Sequence, residues 1–387
     1  MSTALDTPTV HARPRWLAVA AVTLGIFTIV TTEILPIGLL TSIGADFAIS
    51  DGMAGLMMTM PGLVAAVAAP VVTVAAGRID RRLLLAACTL VLLLATVLAA
   101  LAPQFWLMLV SRILLGVTIG AYWSIAAGLA ARLVPPTATA RATGIIFAAV
   151  PLGSVLGVPA GTFLGDLFGW RSPFVVLAVL SALVLALLLT TLPPLPAHES
   201  MRFASLRAAT ARPATRFALS ATAFLVLAHF GAYTYVTPFL EGVTRADART
   251  ITVLLLIYGV AGIAGNFLGS FVAARRPSVA LAGAAALMAA ATLALPALGH
   301  WEFGALVLLV VWGLGYGAVP VATQTCFASA LPDTPEAASV LFTASFQATF
   351  AVGAVLGGLL VDRSSPSTVL LAAGIVAALV GVVTVRR

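Results

Sequence analysis

Long hydrophobic runs alternate with short polar stretches along this chain. Twelve of the runs are about 20 residues long or longer, the length that an α-helix needs to cross about 30 Å of hydrocarbon. The pattern therefore predicts an all-α polytopic membrane protein with twelve transmembrane helices. The predicted ranges are 16–43, 53–77, 83–101, 105–131, 142–165, 173–192, 217–240, 250–274, 278–298, 303–331, 335–361 and 366–385.

Composition supports this fold class. Hydrophobic residues make up 61% of the chain and charged residues 9%, a balance that water-soluble domains do not have. The net charge of +7 is distributed over the loops between spans, so no nucleic-acid site is predicted. Cys88 and Cys326 lie in separate apolar runs, and neither a disulfide framework nor a metal site is predicted.

The chain divides into two related halves. We predict an N-terminal six-helix bundle over 1–196, a cytoplasmic linker over 197–216 and a C-terminal six-helix bundle over 217–387. The segment Gly153-Ser-Val-Leu-Gly157 in the fifth helix returns as Gly353-Ala-Val-Leu-Gly357 in the eleventh, which indicates duplication. Two pseudo-symmetric bundles that face a central cavity are typical of alternating-access transporters.

The arginines predict the orientation of the helices. With both termini in the cytoplasm, fifteen of the twenty basic residues lie on the cytoplasmic side, four lie outside, and Arg112 lies within a span. Cytoplasmic loops of membrane proteins are enriched in basic residues. The distribution therefore predicts that both termini are cytoplasmic, in a chain that we expect to lie in a bacterial inner membrane.

The first helix contains Thr32-Glu33-Ile34-Leu35-Pro36-Ile37-Gly38-Leu39-Leu40. This segment resembles the Thr-Glu-x-x-Pro-x-Gly-Leu-Leu opening of the drug:proton antiporter branch of the major facilitator superfamily, which includes arabinose or sugar-efflux and nucleoside-efflux permeases. The resemblance covers nearly the whole chain. It implies the major facilitator fold and proton-driven export of a small molecule.

The loop between the second and third helices resembles the superfamily motif G-x-L-A-D-R-x-G-R-R. Arg78, Arg81 and Arg82 match, whereas Gly77 replaces the aspartate and Asp80 stands at the second glycine. In the family that aspartate helps to lock one conformation. Two interpretations stay open here: a modified lock, or arginines that only set the topology.

The fourth helix matches the family pattern R-x-x-x-G-x-x-x-G at Arg112, Gly116 and Gly120. An arginine within a span needs a partner or a watery cavity. Glu33 is the acid well inside a span, and a rise of about 1.5 Å per residue gives the two side chains similar heights. We predict that Glu33 binds the driving proton and that Arg112 modulates it. The alternatives are a fixed ion pair, a cap on backbone carbonyls or a merely hydrated Glu33.

The fifth helix resembles the antiporter motif G-(x)8-G-(x)3-G-P-x-x-G-G of the family. Its matching residues are Gly144, Gly153, Gly157, Pro159 and Gly161, with the proline displaced by one position and the final glycine single. Glycines at four-residue spacing let another helix approach closely and let the helix flex. The resemblance to this family motif implies antiport.

The resemblance implies a substrate cavity lined by the first, fourth, seventh and tenth helices. Polar and aromatic residues of the spans supply its candidate lining, and without strongly charged groups they suit a neutral hydroxylated or aromatic ligand. The candidates are Tyr122, Trp123, His229, Tyr233, Thr237, Asn266, Trp312, Tyr316, Gln324 and Gln347. For each aromatic residue among them a role in helix packing or in an interfacial belt is the alternative, and a neutral structural His229 is the alternative to a proton relay.

Together these features predict a proton-coupled antiporter that exports a sugar, a nucleoside or a drug such as an amphenicol. Its expected partners are that substrate, protons and the lipid bilayer, with no nucleic acid, and the resemblance implies a monomer. We expect no cofactor beyond the driving proton gradient and no enzymatic activity. The alternatives are an uncoupled facilitator or importer of the same fold and a non-transporting membrane receptor.

Overall fold

The computed structural model describes residues 15–75, 79–196 and 203–385, and within these ranges the chain is helical without a strand. Twelve helices of this described part are long and apolar enough to cross a membrane. Both findings confirm the predicted fold class. Of the loop-motif residues, Gly77 and Arg78 lie outside the described ranges.

The N-terminal half has six spans. They are α1 (Trp16–Ile34, followed by a 3-10 turn over Leu35–Leu39 and a last segment over Leu40–Phe47), α2 (Leu56–Ala75, after a short helix over Asp51–Ala54), α3 (Arg81–Leu101), α4 (Phe105–Leu133), α5 (Thr139–Phe168) and α6 (Ser172–Thr191).

The C-terminal half has the other six. They are α7 (Pro213–Tyr233, continued by Val236–Phe239 and a π-helical turn over Leu240–Thr244), α8 (Ala248–Ala273), α9 (Pro277–Leu298), α10 (Glu302–Ala330), α11 (Pro335–Arg363) and α12 (Pro366–Val385). The segment predicted as a linker contains a short helix, Phe203–Thr210, and the first turn of α7. Residues 197–202 lie outside the described ranges.

Local sequence explains where several helices begin and bend. The side chains of Ser50 and Asp247 accept hydrogen bonds from backbone N–H groups three residues on, which are otherwise unpaired at a helix start. Pro36 lacks an N–H and cannot continue the α-helical ladder, and α1 tightens into its 3-10 turn around this residue. The bend keeps the whole Leu35–Leu39 turn buried.

The molecule has two ends. We call the side that holds the start of α1 and the end of α6 the linker end, and the opposite side the far end. At the linker end the Arg132 side chain donates to the Pro196 carbonyl at 2.8 Å, which joins the end of α4 to the segment after α6. At the far end Arg171 and Asp46 form an ion pair at 2.9 Å between the α6 and α1 regions.

Helix packing repeats between the halves. The contacts of α1 with α5, α2 with α4 and α3 with α6 return as α7 with α11, α8 with α10 and α9 with α12. Two extensive contacts between the halves, α2 with α11 and α5 with α8, are also equivalent under the same six-helix shift. The internal repeat that the glycine segments indicate is therefore also present in the helix packing.

The two halves close against each other at the far end. The Thr237 hydroxyl donates to the Ile37 carbonyl at 2.8 Å, and the Thr41 hydroxyl donates to Glu241 at 3.0 Å. One buried apolar cluster includes far-end residues of both halves. Near the linker end, by contrast, the N-terminal half has an apolar cluster of its own. This arrangement is closed at the far end.

Candidate functional site

Glu33 lies in the interior, at the contact between the halves. Its side chain is 7% exposed, and its Oε1 accepts a hydrogen bond from Nε2 of Gln347 on α11 at 3.0 Å. The two residues are 314 positions apart and belong to different halves. Such a hydrogen bond contributes about 1.5–3 kcal/mol when the carboxyl is ionised. The carboxyl therefore has a specific partner whose position depends on how the halves pack.

Arg112 is fully buried beside α1, at a place where a proline leaves a backbone carbonyl of that helix without its usual donor. Its Nη1 donates to the Thr32 carbonyl at 2.8 Å. In an α-helix this carbonyl would accept from the residue four positions on, which is Pro36 and has no N–H. The guanidinium supplies the missing donor, and its Cζ also lies 5.1 Å from the centre of the Phe174 ring.

The predicted pairing of Glu33 with Arg112 takes an indirect form. The guanidinium binds the carbonyl of the residue that precedes Glu33, while the carboxyl binds Gln347. The two charges still interact electrostatically through the buried interior. Arg112 therefore combines the two roles that the sequence left open, since it caps a backbone carbonyl and places a positive charge near Glu33.

The antiporter-like glycines of α5 face the segment of α1 that carries Glu33. A Cβ atom added at Gly153, Gly157 or Gly161 would meet atoms of α1 at 3.0–3.3 Å. Small residues on this face bring the two backbones close together. Gly144 is exposed and has no atoms within 4 Å of such a Cβ, so it is not part of this contact. Pro159 is buried within α5.

Gly116 and Gly120 of α4 bring α2 close in the same way. A Cβ atom at Gly116 would lie 2.5 Å from the Pro61 carbonyl oxygen, and one at Gly120 would lie 2.7 Å from the Ala69 nitrogen. The α4 pattern therefore positions Arg112 by packing its helix tightly against a neighbour.

Five rings form an aromatic cluster inside the C-terminal half. They are His229, Tyr233, Tyr258, Trp312 and Tyr316. The His229 ring is parallel to that of Tyr316, with centres 3.3 Å apart, and stacks on Tyr233 at 5.0 Å. Tyr258 stacks on Tyr233 at 4.6 Å, and Trp312 meets the stack edge-on. The structure thus brings together four predicted cavity residues.

Several buried polar atoms of this region have no hydrogen-bond partner within the described chain. They are His229 Nδ1, Tyr258 Oη, Trp312 Nε1 and Gln347 Oε1. Leaving a buried polar group unpaired costs about 1–3 kcal/mol, and such groups commonly bind water or a ligand. Together they offer both donors and acceptors beside flat ring faces.

The other predicted cavity residues lie elsewhere. Thr237 belongs to the far-end closure, and Tyr122 and Trp123 lie in or against the apolar cluster of the N-terminal half. Asn266 is half-buried on α8. Gln324 is exposed and lines a cavity of about 270 Å³ near the linker end of α10 and α11.

Asp80 has a structural position in the loop motif. Its carboxylate accepts from the Arg82 N–H at 2.8 Å and from the Leu195 N–H at 3.0 Å. The Arg81 N–H donates to the Leu195 carbonyl at 2.9 Å, and the Arg82 side chain donates to the Leu189 carbonyl. These contacts tie the start of α3 to the end of α6 within one half.

Sequence reasoning did not identify Tyr258 or Thr32 as site residues. Tyr258 is a polar aromatic residue in the middle of a span, which was the available signal. For Thr32 the available signal was Pro36, because a proline within a helix leaves the carbonyl four positions before it without a hydrogen-bond donor.

Comparison with known proteins gives the family. The sequence model of the family described as the Major Facilitator Superfamily matches residues 22–339 of this chain. The chain is 34% identical over 382 residues to the transcription regulatory protein OpdE of Pseudomonas aeruginosa, a match that covers 96% of this chain and 94% of OpdE. It is 32% identical over 362 residues to the purine ribonucleoside efflux pump NepI of Escherichia coli, with 94% and 91% covered.

A solved structure has the same fold. It is a bacterial homologue of the human lysosomal transporter Spinster in an inward-facing and unoccupied conformation. The TM-score is 0.76 at 18% sequence identity, over 97% of this chain and 98% of that one.

Proposed function

Since the chain belongs to the Major Facilitator Superfamily of membrane transporters, we propose that it is a proton-coupled antiporter that exports a small neutral molecule. The observation that carries this proposal is the hydrogen bond between Glu33 and Gln347, a buried carboxyl held across the contact between the two halves. A carboxyl at a moving contact exchanges its surroundings as the halves rock.

Glu33 is suited to carry a proton. Protonation of a carboxyl responds to solvation, to nearby charge and to hydrogen bonding, and the solvation and the hydrogen bonding of Glu33 change when the halves move relative to each other. Arg112 stays with α1 because it binds the Thr32 carbonyl. The positive charge therefore accompanies Glu33, while Gln347 moves with the other half.

The orientation follows from the basic residues. Arg82, Arg132 and Arg141 lie at the linker end, where cytoplasmic loops would be. We propose that the linker end faces the cytoplasm of a bacterial inner membrane and that both termini lie there. The far-end closure then corresponds to a state that is closed toward the outside of the cell.

The aromatic cluster supports an aromatic substrate among the small neutral molecules. Flat rings attract a planar ligand by stacking, and unpaired polar atoms give it hydrogen bonds. The name of NepI specifies purine ribonucleosides as the cargo of that relative. We therefore place nucleosides first, ahead of amphenicol-type drugs and sugars.

Flux measurements in proteoliposomes with an internal pH-sensitive dye test the proposal. Inosine, chloramphenicol and arabinose are added to wild type, Glu33→Gln and the control Glu302→Gln, which removes an exposed acid at the start of α10. We expect inosine to elicit proton flux in wild type and control and none in Glu33→Gln.

Two other results would replace the proposal. Substrate movement without proton flux, equal in wild type and Glu33→Gln, would identify an uncoupled facilitator. Binding of inosine without any movement across the membrane would identify a receptor.

A further inference from the structure

Gln347 holds an unpaired acceptor next to the candidate proton site. Its side chain is 4% exposed, its Nε2 donates to Glu33, and its Oε1 has no partner within the described chain. When Glu33 is ionised, the amide faces it with the nitrogen, because a carboxylate only accepts hydrogen bonds. In that state the amide oxygen is left without a partner in the described chain.

Protonation of Glu33 changes what this amide can do. A carboxylic acid and a primary amide form a cyclic pair, in which the amide N–H donates to one acid oxygen and the acid O–H donates to the amide oxygen. The first of these bonds already exists. A proton arriving on the second oxygen of Glu33 lets the amide turn about the existing bond, so that Gln347 Oε1 accepts the acid O–H and the pair is complete.

We propose that Gln347 is the residue at which proton and substrate compete. With Glu33 ionised, Gln347 Oε1 accepts from an N–H or O–H group of the substrate; with Glu33 protonated, the amide turns this oxygen to the acid O–H and away from the substrate. Primary amides recognise the donor and acceptor edge of purine bases in the same manner. The inference rests on the proposed antiport, and it explains why the proton and the substrate are not bound at the same time.

The surroundings fit this role. Phe346, the residue before the amide in the chain, packs on Phe230 with ring centres 6.0 Å apart, and Phe230 meets Tyr316 of the aromatic cluster at 5.7 Å, so the stack and the amide border one region. The charged and titratable groups facing Glu33 are Arg112 on α4 and Tyr316 on α10, with His229 of α7 stacked behind Tyr316. A substrate ring on the cluster would bring its polar edge toward Gln347.

Infrared difference spectra between acid and alkaline pH test the pair without any substrate. The carbonyl stretch of protonated Glu33 is the band that disappears in Glu33→Gln. We expect it to shift to higher frequency in Gln347→Leu and to stay in place in Thr349→Val, a control on the same helix whose hydroxyl binds its own backbone. An unshifted band in Gln347→Leu overturns the proposal.

Binding of labelled inosine at several pH values tests the competition. In wild type and Thr349→Val we expect affinity to fall as the pH falls. In Gln347→Leu we expect affinity at alkaline pH to be about tenfold lower, as for one lost hydrogen bond, and independent of pH. The wild-type pH dependence retained in Gln347→Leu overturns the competition.

The two proposals fail in different ways. Wild type that binds no inosine and moves no protons contradicts the proposed function, and substrate competition at Gln347 falls with it, while the infrared arm still decides the acid–amide pair. Coupled flux in Gln347→Leu equal to wild type contradicts only the role of Gln347.

Discussion

The Ser50 hydroxyl donates a hydrogen bond to the Asp362 carboxylate at 2.7 Å, across the far-end contact of the two halves. The same carboxylate accepts from the Gly52 N–H at 2.9 Å. Asp362 lies in the last turn of α11, whereas Ser50 and Gly52 belong to the turn that starts the α2 region. The acid therefore binds a partner that it can reach only when the far end is closed.

Asp362→Ala is expected to open the far end. Loss of two partly hydrated hydrogen bonds costs the closed state about 1 kcal/mol, close to a fivefold shift in the equilibrium. Accessibility of a cysteine introduced at the far end to a membrane-impermeant reagent measures the shift. Asp333→Ala, in an exposed turn at the other end, is the control, and equal labelling of the two variants would show that the bond does not hold the closure.

Gly52→Ala is expected to open the same contact by steric conflict. An added Cβ would lie 2.3 Å from the Asp362 side chain and 2.6 Å from the Gly358 carbonyl oxygen. The backbone atom cannot yield as a flexible side chain does. Gly242→Ala, at a far-end position with no atoms within 4 Å, is the matched control. Increased labelling of Gly52→Ala alone is the predicted result of the same accessibility assay.

Arg112→Leu and Pro36→Ala are expected to be coupled in stability. Arg112→Leu leaves the buried Thr32 carbonyl without a donor, at a cost of about 1–3 kcal/mol. Pro36→Ala supplies the missing N–H, so the same leucine substitution should then cost less. Thermal unfolding of the four proteins in detergent gives the interaction energy. Purely additive effects would contradict the assignment of Arg112 to this carbonyl.

Removal of two tyrosine hydroxyls is expected to have different effects, one on substrate binding and the other on stability. Tyr258 Oη is buried without a partner in the described chain, whereas Tyr235 Oη donates to the Ala354 carbonyl at 2.7 Å. Tyr258→Phe should keep or raise the unfolding temperature and weaken inosine binding about tenfold. Tyr235→Phe should lower the unfolding temperature and leave binding unchanged. The opposite pattern would exclude the aromatic cluster as the binding site.

Gly317→Ala is expected to destabilise the C-terminal half. An added Cβ would lie 2.0 Å from the Gly262 carbonyl oxygen, where α10 and α8 touch through their backbones. Such overpacking costs about 1–3 kcal/mol. Gly283→Ala on α9 has open space, and the better helix propensity of alanine should keep or raise its stability. Thermal unfolding of the two variants makes the comparison, and equal unfolding temperatures would contradict the close contact.

The sequence by itself determined the number of spans and the two charged residues deep within them. Each hydrophobic run must cross the same thickness of hydrocarbon, so length and polarity alone identify the helices. The same rule marks Glu33 and Arg112, since a charged residue inside a span stands out against apolar neighbours. Their similar heights also followed from the fixed rise of a helix.

Only the tertiary structure decided which groups meet. A rise per residue gives the height of a side chain, but its direction around the helix and the neighbour it faces depend on how all twelve helices pack. Glu33 therefore binds Gln347 of the other half, and Arg112 binds a carbonyl of α1. Tyr258 of α8 stacks in the aromatic cluster. The far-end bond between Ser50 and Asp362 depends on one arrangement of the halves, which no local pattern of residues specifies.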